Sequence, residues 1–244
     1  MEWERIHFEV IGSTNTWGKE NAPSLPRDRI TLVTAGEQTA GRGRFKRRWE
    51  SPPGQNIYAT YCFFVEKHQG NIGNIPQILA LSAAATLQAA GFEPVLKWPN
   101  DVLLSGKKVA GILAETTPLS DTLCAIIGIG LNVNMPKELL AAIDRPATSL
   151  LAESGRAHDV ESLLDDLTRH FSSSLDLFFE EGFHPFLEPY KKLMPCDPAK
   201  TVKFHDNRTI WEGTVHGINP DGSLLFQLPD GTLKTFVAGE ILWL

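Results

Sequence analysis

Residues 36–49 combine three glycines with a dense run of positive charge, and they constrain the fold more than any other stretch. Five of the seven residues from Arg42 to Arg48 are basic, although the chain carries a formal net charge of −6. Glycine adopts backbone conformations that other residues avoid, and arginine presents a fork of donors that matches carboxylate and phosphate oxygens. The stretch is therefore predicted to be a hinged cationic loop that folds over an anion. The plain alternative is a solvated surface loop.

Composition narrows the class of protein. The chain has 244 residues, of which 42% are hydrophobic and 21% are charged, so it can build a packed core. Its negative charge argues against nucleic-acid binding over the whole surface. The three cysteines, Cys62, Cys124 and Cys196, lack CxxC spacing and are predicted to be free buried thiols, as in a reducing compartment. Without a signal peptide or an apolar run of about 20 residues, a cytoplasmic protein that avoids membranes is expected.

The first 195 residues alternate predicted strands with predicted helices. Strands are predicted at residues 3–10, 30–35, 57–65, 95–98, 102–104, 108–115 and 123–133. Helices are predicted at residues 13–21, 74–90, 160–182 and 183–193, because capping residues or apolar residues at helical spacing mark them. This pattern predicts an α+β fold in which helices pack on a mixed β-sheet.

The last 46 residues have a different pattern of predicted structure, with short strands and no helices. After a boundary at residues 195–198, short strands are predicted at residues 202–204, 210–218, 224–228, 233–236 and 241–244. Turn sequences such as Asn219-Pro220-Asp221-Gly222 separate them. Short strands joined by tight turns predict a small β-barrel, so the chain is divided into one domain at residues 1–195 and another at residues 199–244.

Three further groups of residues are candidates for a site. Ser13-Thr14-Asn15 opens a helix, where such residues either cap the helix or face a polar ligand. Lys97 and Lys108 lie on neighbouring predicted strands, and a buried lysine is costly unless an anion pairs with it; the alternative is two edge lysines in water. Gly128-Ile129-Gly130 ends a strand and does not open a helix, which favours a bulge or close backbone packing over nucleotide binding.

Together these motifs resemble the biotin protein ligase family. The residues that carry the resemblance are Ser13-Thr14-Asn15, 38–44 with Trp49, 97–101, 108–115 and 128–132, in the order in which the family has them. The resemblance implies a catalytic domain like those of class II synthetases and an SH3-like C-terminal domain. It also implies two reactions. Biotin and ATP form biotinyl-5′-AMP and pyrophosphate, and biotin then passes to a lysine of a biotin carboxyl carrier protein.

The resemblance also implies roles for individual residues. The carboxylate of biotin is ionised at neutral pH, so its activation needs charge neutralisation and positioning and no base. Arg42, Lys97 and Lys108 are expected to supply catalytic charge. The expected biotin-binding residues are Ser13, Thr14, Asn15, Gln38, Arg42, Gly43, Arg44, Lys108 and Gly111. The expected nucleotide-binding residues are Arg44, Trp49, Asn100 and Asn132. Asp101 is the candidate ligand for Mg²⁺, and it is also a candidate base for the transfer step.

The sequence departs from the family in two places. The family often has glycine where this chain has Lys46, which predicts a stiffer and more highly charged hinge. Some members carry an amino-terminal winged helix-turn-helix, but here Ser13 lies only a dozen residues into the chain. No such domain and no sequence-specific DNA binding are therefore expected. A homodimer is left open, with a strand edge near residues 123–132 as the candidate surface.

Two other functions are compatible with parts of the sequence. A lipoate ligase would share the fold and the adenylation chemistry, but it would need a longer and more apolar slot. A nucleic-acid-binding module could use the basic loop and the small barrel, with an affinity that falls steeply with salt. The second function leaves the Ser13-Thr14-Asn15 and Lys97-to-Asp101 motifs without a role.

Overall fold

A seven-stranded mixed sheet forms the centre of the protein in a computed structural model that describes residues 1–67, 72–197, 199–206 and 208–242. Its strands are β1 (Trp3–Ile11), β2 (Ile30–Gln38), β3 (Ile57–Glu66), β4 (Val95–Lys97), β5 (Asp101–Leu104), β6 (Lys107–Pro118) and β7 (Thr122–Leu131). Their order is β1-β2-β3-β7-β6-β5-β4. Strand β1 runs parallel to β2, and the other neighbours are antiparallel. The predicted α+β fold with a mixed sheet is thus confirmed.

Helices cover both faces of this sheet. They are α1 (Thr14–Asn21), α2 (Ile75–Ala89), α3 (Lys137–Ala141), α4 (Leu150–Ser154), α5 (Val160–Glu181) and α6 (His184–Leu193). Alternate residues of a strand point to opposite faces, so Leu32 packs in the large core with α2 and α5, whereas its neighbour Val33 packs in a smaller cluster beside α1. The short helices α3 and α4 were not predicted. None of the described helices is long and apolar enough to cross a membrane.

Residues 201–242 form a second, antiparallel sheet. Its strands are β8 (Thr201–His205), β9 (Ile210–Ile218), β10 (Leu224–Gln227), β11 (Leu233–Phe236) and β12 (Glu240–Leu242), in the order β11-β10-β9-β8-β12. This C-terminal sheet agrees with the predicted SH3-like domain. Residues 243 and 244 of the last predicted strand, and residue 198 of the predicted boundary, lie outside the described residues.

The turn that contains Gly222 connects the C-terminal sheet to the central domain through hydrogen bonds. The Gly222 carbonyl oxygen accepts hydrogen bonds from Gln77 Nε2 at 2.8 Å and from Trp98 Nε1 at 3.0 Å. Gly222 has φ +80°, and a Cβ placed there would lie 2.2 Å from Asn74 Nδ2. Phe204 of the C-terminal sheet belongs to the same apolar core as Trp98. One apolar core therefore joins both sheets, and the division at residues 195–199 remains a prediction.

Two smaller expectations were wrong. Cys62 and Cys124 are free and buried as predicted, but the free Cys196 is exposed because it follows the end of α6. Strand β7 is not an edge, since it pairs with β3 on one side and with β6 on the other. It therefore cannot offer residues 123–132 to a second subunit as a free edge.

Candidate active site

The basic loop, defined here as residues 39–49, lies over strands β6 and β7 and encloses a cavity. The residues predicted for catalysis, biotin, nucleotide or metal all line this cavity except one: Ser13, Thr14, Asn15, Gln38, Arg42, Gly43, Arg44, Trp49, Lys97, Asn100, Asp101, Lys108 and Gly111. The exception, Asn132, lines an adjoining cavity that shares Gly43, Arg44, Trp49 and Lys108 with the first. The structure thus brings the sequence motifs together in two connected compartments.

Polar groups at the start of α1 form one end of the cavity. Thr14 donates to Gln38 Oε1 from its backbone N at 3.0 Å and from its hydroxyl at 3.2 Å. Strand β2 continues past its predicted end to Gln38 because β1 keeps pairing with it, as far as Ile11 opposite Gln38. Ser13 caps the helix through a long contact of 3.4 Å from Thr16 N to its Oγ. The cap cluster therefore lines the cavity and begins the helix as well.

The Asn15 amide is fixed on all sides by protein. Its Nδ2 donates to Leu113 O at 3.1 Å and to Glu115 Oε2 at 3.2 Å, while Thr60 Oγ1 donates to its Oδ1 at 2.7 Å. A Cβ at Gly128 would lie 1.9 Å from Asn15 Oδ1. The close backbone packing predicted around Gly128 is therefore observed. In this arrangement Asn15 shapes the wall of the cavity.

The carboxylate of Glu115 pairs with two cationic side chains at the mouth of the cavity. It accepts hydrogen bonds from Arg42 Nη2 at 2.5 Å and from Lys19 Nζ at 2.9 Å. Burial alone would raise the pKa of Glu115, but the hydrogen bonds from Lys19, Arg42 and Asn15 hold it below its ordinary value. Neither Glu115 nor Lys19 was predicted as a site residue. The only sequence signal was the position of Glu115 at the end of the motif at residues 108–115.

Two glycines let large side chains lie flat on the sheet. A Cβ at Gly111 would lie 2.7 Å from Lys108 Nζ, and a Cβ at Gly130 would lie 2.3 Å from Trp49 Nε1. Lys108 Nζ lies 5.4 Å from the centroid of the Trp49 ring and 2.7 Å from Asp101 Oδ1. Trp49 Nε1 is buried and has no hydrogen-bond partner among the described residues. The indole N–H is thus available to a ligand acceptor.

Lys97 and Arg44 add charge that is only partly exposed to solvent. Burial lowers the pKa of Lys97, and repulsion from Lys108 and Arg145 contributes in the same direction, against attraction from Asp101 and Glu240. Burial also lowers the pKa of Arg44, although a guanidinium stays protonated at any physiological pH.

Hydrogen bonds fix the Arg44 guanidinium to two separate parts of the chain. It donates to Asn100 Oδ1 and to the Gly239 carbonyl oxygen, each at 2.8 Å. The Asn100 amide is itself held by donation to the Ile112 carbonyl oxygen at 2.7 Å. Arg44 therefore connects the basic loop to the sheet and to the C-terminal sheet.

The C-terminal sheet also contributes a carboxylate to the cavity. Glu240 lines the cavity and pairs with Arg47 Nη1 at 2.6 Å. Burial raises the pKa of Glu240, but the hydrogen bond from Arg47 and the nearby positive charges hold it below its ordinary value. Sequence reasoning missed Glu240, because 193 positions separate it from Arg47.

The tip of the basic loop has an unusual backbone. Phe45 and Lys46 have φ values of 58° and 59°, in the left-handed region that glycine adopts most easily. The Phe45 ring lies 5.0 Å from the guanidinium carbon of Arg44, 5.3 Å from that of Arg47, and 6.3 Å from the His205 ring of β8. The lysine that replaces the family's glycine thus occupies a conformation that suits glycine.

The described residues do not form a resident metal site. They contain no group of three or more histidine, cysteine, aspartate or glutamate side chains that could hold a metal ion. The carboxylate of Asp101 is already paired with Lys108. A single paired carboxylate does not supply the oxygen ligands that Mg²⁺ requires, unless phosphates provide the others.

Comparison with known proteins agrees with this geometry. The model of the biotin/lipoate A/B protein ligase family matches residues 7–132, and the model of the biotin protein ligase C-terminal domain matches residues 200–243. The biotin–[acetyl-CoA-carboxylase] ligase of Paracoccus denitrificans is 34% identical over 232 residues, which cover 90% of this chain and 92% of that protein. The bifunctional ligase/repressor BirA of Bacillus subtilis is 32% identical over 247 residues, covering 96% and 72% respectively.

A solved structure is similar over nearly the whole chain. The biotin protein ligase of Aquifex aeolicus, in complex with biotin and ATP, superimposes with a TM-score of 0.81 at 30% sequence identity. The match covers 98% of this chain and 97% of that one. The fold, the two family models and the relatives agree, and the chain belongs to the biotin/lipoate A/B protein ligase family.

Proposed function

We propose that the chain is an ATP-dependent ligase that activates biotin as biotinyl-5′-AMP and transfers it to a lysine of a biotin carboxyl carrier protein. The observation that carries the proposal is one cavity in which Arg42, Arg44, Lys97 and Lys108 converge beside the polar end of α1. Such a cavity suits two anions that must react with each other. The similarity to ligases named for biotin favours biotin over lipoate as the substrate.

Activation is chiefly a matter of charge and geometry. A carboxylate oxygen of biotin attacks the α-phosphorus of ATP, and both reactants are negatively charged. Lys108 and Arg42 reach the cavity from the sheet and from the basic loop, and we assign them to the carboxylate and the α-phosphate. Preorganised cations of this kind lower the barrier without any proton transfer. Ser13, Thr14 and Gln38 are assigned to the ureido ring.

The adjoining cavity is our candidate for the adenine ring. It is lined by Trp49, Asn132, Ile143 and Ala147 among others, which gives it an aromatic wall and polar groups for a purine. The Trp49 N–H, which has no partner among the residues that the structure describes, fits a ligand acceptor at the junction of the two cavities. Asn132 is held there by donation from its Nδ2 to the Thr148 carbonyl oxygen at 3.0 Å.

Magnesium is proposed to arrive with ATP as part of the substrate. Mg²⁺ is commonly held by phosphate oxygens and only one or two protein carboxylates. Asp101 could be such a ligand only if its pairing with Lys108 were exchanged. The residues of this chain therefore position the reactants, and the ion would neutralise phosphate charge.

The transfer step needs a different group. An acceptor lysine has an ordinary pKa of about 10.4 and must lose a proton before it attacks the anhydride. Asp101 lines the cavity beside Lys108, so we propose it as the proton acceptor. The anhydride is also sensitive to water, and we propose that the closed basic loop excludes water until the acceptor arrives. The cytoplasmic location remains a prediction.

Pyrophosphate release tests the proposal directly. The full chain is incubated with ATP and Mg²⁺, and with biotin, lipoate or neither. We expect release only with biotin, followed by labelling of a carrier domain when that domain is added. Release with lipoate alone would support the lipoate-ligase alternative, and no release with either acid would contradict adenylation altogether. A filter-binding titration with RNA at low salt should show no retention.

A further inference from the structure

Two cationic side chains share a single carboxylate at the mouth of the active-site cavity. Glu115 of β6 accepts a hydrogen bond from Lys19 Nζ on Oε1 at 2.9 Å and one from Arg42 Nη2 on Oε2 at 2.5 Å. Burial acts to raise the pKa of Glu115, but the hydrogen bonds from Lys19, Arg42 and Asn15 keep it below its ordinary value. The carboxylate is therefore ionised at neutral pH, and the three charged side chains together carry one net positive charge.

The net charge of this cluster depends on Lys19. Without its ammonium group, Glu115 and Arg42 would form a neutral pair, and the guanidinium would attract a substrate anion less strongly. Arg42 bonds to Glu115 through Nη2, and its guanidinium makes no other hydrogen bond to the described residues. The N–H groups on Nε and Nη1 can therefore donate to a ligand in the cavity that Arg42 lines.

Glu115 is held firmly enough to keep this arrangement. Its side chain is only 18% exposed, and the Asn15 amide donates to Oε2 at 3.2 Å. Asn15 is itself fixed by Thr60 and by the Leu113 carbonyl oxygen. A carboxylate with this support stays beside Arg42, so its negative charge must be balanced by another cation if Arg42 is to act on a ligand.

We propose that Lys19 is a positioning residue for the reaction, which neutralises Glu115 and so leaves the charge of Arg42 to act on the carboxylate of the substrate. The inference rests on the proposed function, in which Arg42 binds an anion, and it adds a residue that does not line the cavity. Lys19 lies in the last turn of α1, whose first residues do line it. One helix thus supplies polar groups to the cavity and the compensating charge.

The competing explanation is that Lys19 only stabilises the fold. A cation in the last turn of a helix complements the helix dipole, and an ion pair adds a little stability. Lys191 is a closely matched control for these effects. It lies in the last turn of α6, is 41% exposed against 40% for Lys19, and pairs with Glu188 at the same distance of 2.9 Å.

Calorimetric titration of the full chain with biotin tests the role of Lys19. In Lys19→Met the charge of Glu115 is balanced by Arg42 alone, so the Kd for biotin should rise about three- to tenfold. Lys19→Arg keeps the positive charge and should stay within about twofold of wild type. Lys191→Met should also leave the Kd within about twofold. All variants should keep the wild-type circular dichroism spectrum.

Two further measurements separate action through Glu115 from other effects. In a Glu115→Gln background the carboxylate charge is gone, so adding Lys19→Met should change the Kd for biotin by less than about twofold. Biotinol, in which an alcohol replaces the carboxylate, should bind to Lys19→Met and to wild type with Kd values that agree within about twofold.

Four outcomes would count against the inference or its basis. An unchanged Kd for biotin in Lys19→Met would overturn it and leave the proposed function intact. An equal rise in the Glu115→Gln background would show that Lys19 acts on the ligand directly, which also overturns it. An equal loss of biotinol binding would mean that Lys19→Met changes the shape of the cavity. If the wild-type chain did not bind biotin, the proposed function itself would be contradicted.

Discussion

The floor of the cavity, which strands β6 and β7 form, and the basic loop above it are positioned by different means. Strand register sets the floor, where Gly111 lies opposite Gly130 and Leu113 opposite Gly128 in the β6–β7 pair. Backbone hydrogen bonds from Thr39 and Ala40 hold only the start of the loop. Side-chain contacts hold the rest to the two sheets: Arg42 contacts Glu115, and Arg47 contacts Glu240. A partly exposed ion pair is weak and can be exchanged, whereas paired strands are held by many backbone hydrogen bonds. We therefore expect the floor to keep its geometry when a ligand binds and the loop to open and close.

The largest effect is expected from a single methyl group in the floor. In Gly128→Ala the new Cβ would fall 1.9 Å from Asn15 Oδ1, and the bonded Asn15 amide cannot move without breaking its contacts. We expect a loss of more than about a hundredfold in biotin-dependent pyrophosphate release. Gly12→Ala is the control, because no atom lies within 4 Å of its Cβ and the residue has no positive φ. Biotin affinity of Gly128→Ala within threefold of wild type would show that the floor is not rigid.

The next comparison removes one cation from each region. Lys108→Ala should slow adenylate formation about a hundredfold and Arg42→Ala about tenfold, since the sheet-held cation is the better organised. Both variants should keep the wild-type circular dichroism spectrum. Lys107→Ala is the control, because Lys107 is the exposed neighbour of Lys108 on β6. Equal losses in the two variants would remove the distinction between floor and loop.

The sequence predicted the floor well, because its residues are local. The motif at residues 97–101 spans the turn between β4 and β5, and the glycines at residues 111, 128 and 130 lie on strands that apolar runs and turn signals had already located. The fold class and the C-terminal sheet followed from element spacing and turn residues. What could not be predicted is the set of partners that hold the loop. Glu115 and Glu240 reach Arg42 and Arg47 across 73 and 193 positions, and no local pattern encodes such pairs.

The tip of the basic loop shows a second limit of prediction from the sequence. The sequence alone indicated that Lys46 stands where glycine is usual, and the structure gives the consequence as a left-handed backbone at Phe45 and Lys46. The sequence could not indicate that the Phe45 ring would lie close to two guanidinium groups and a histidine of β8. The C-terminal sheet therefore takes part in ordering the loop, which element spacing did not predict.

Weakening the connection between the loop and the C-terminal sheet should have an intermediate effect. Glu240→Gln removes the charge that pairs with Arg47, so the loop should open more often and release the adenylate about three- to tenfold faster. Biotin affinity should change less, since the floor is intact. Glu212→Gln is a matched control in the same sheet, where an exposed pair with Lys203 spans 3.5 Å. The measurement is the half-life of the bound adenylate without acceptor. An unchanged half-life would mean that Arg47 does not hold the loop.

The smallest effect is a pH dependence of stability at Glu115, where floor and loop meet. Its pKa is held below the ordinary value of 4.5 by Lys19, Arg42 and Asn15, so the unfolded chain binds its proton at a higher pH than the folded chain does. The stabilisation is therefore complete above about pH 4.5 and is lost as the pH falls through the folded-state pKa.

Glu115→Gln should lower the free energy of unfolding by about 1–2 kcal/mol at pH 7, and the difference from wild type should shrink as the pH falls below about 4.5. Urea unfolding at several pH values measures it. Glu188→Gln, which removes an exposed helical pair with Lys191, should change stability by less than about 0.5 kcal/mol at every pH. A difference at Glu115 that stayed constant down to pH 3 would mean that the cations at the mouth of the cavity do not stabilise the ionised carboxylate. Packing, and not the ion pair with Glu115, would then hold Arg42 to the floor. One of the two ion pairs that distinguish the loop from the strand-paired floor would no longer count as evidence for that distinction.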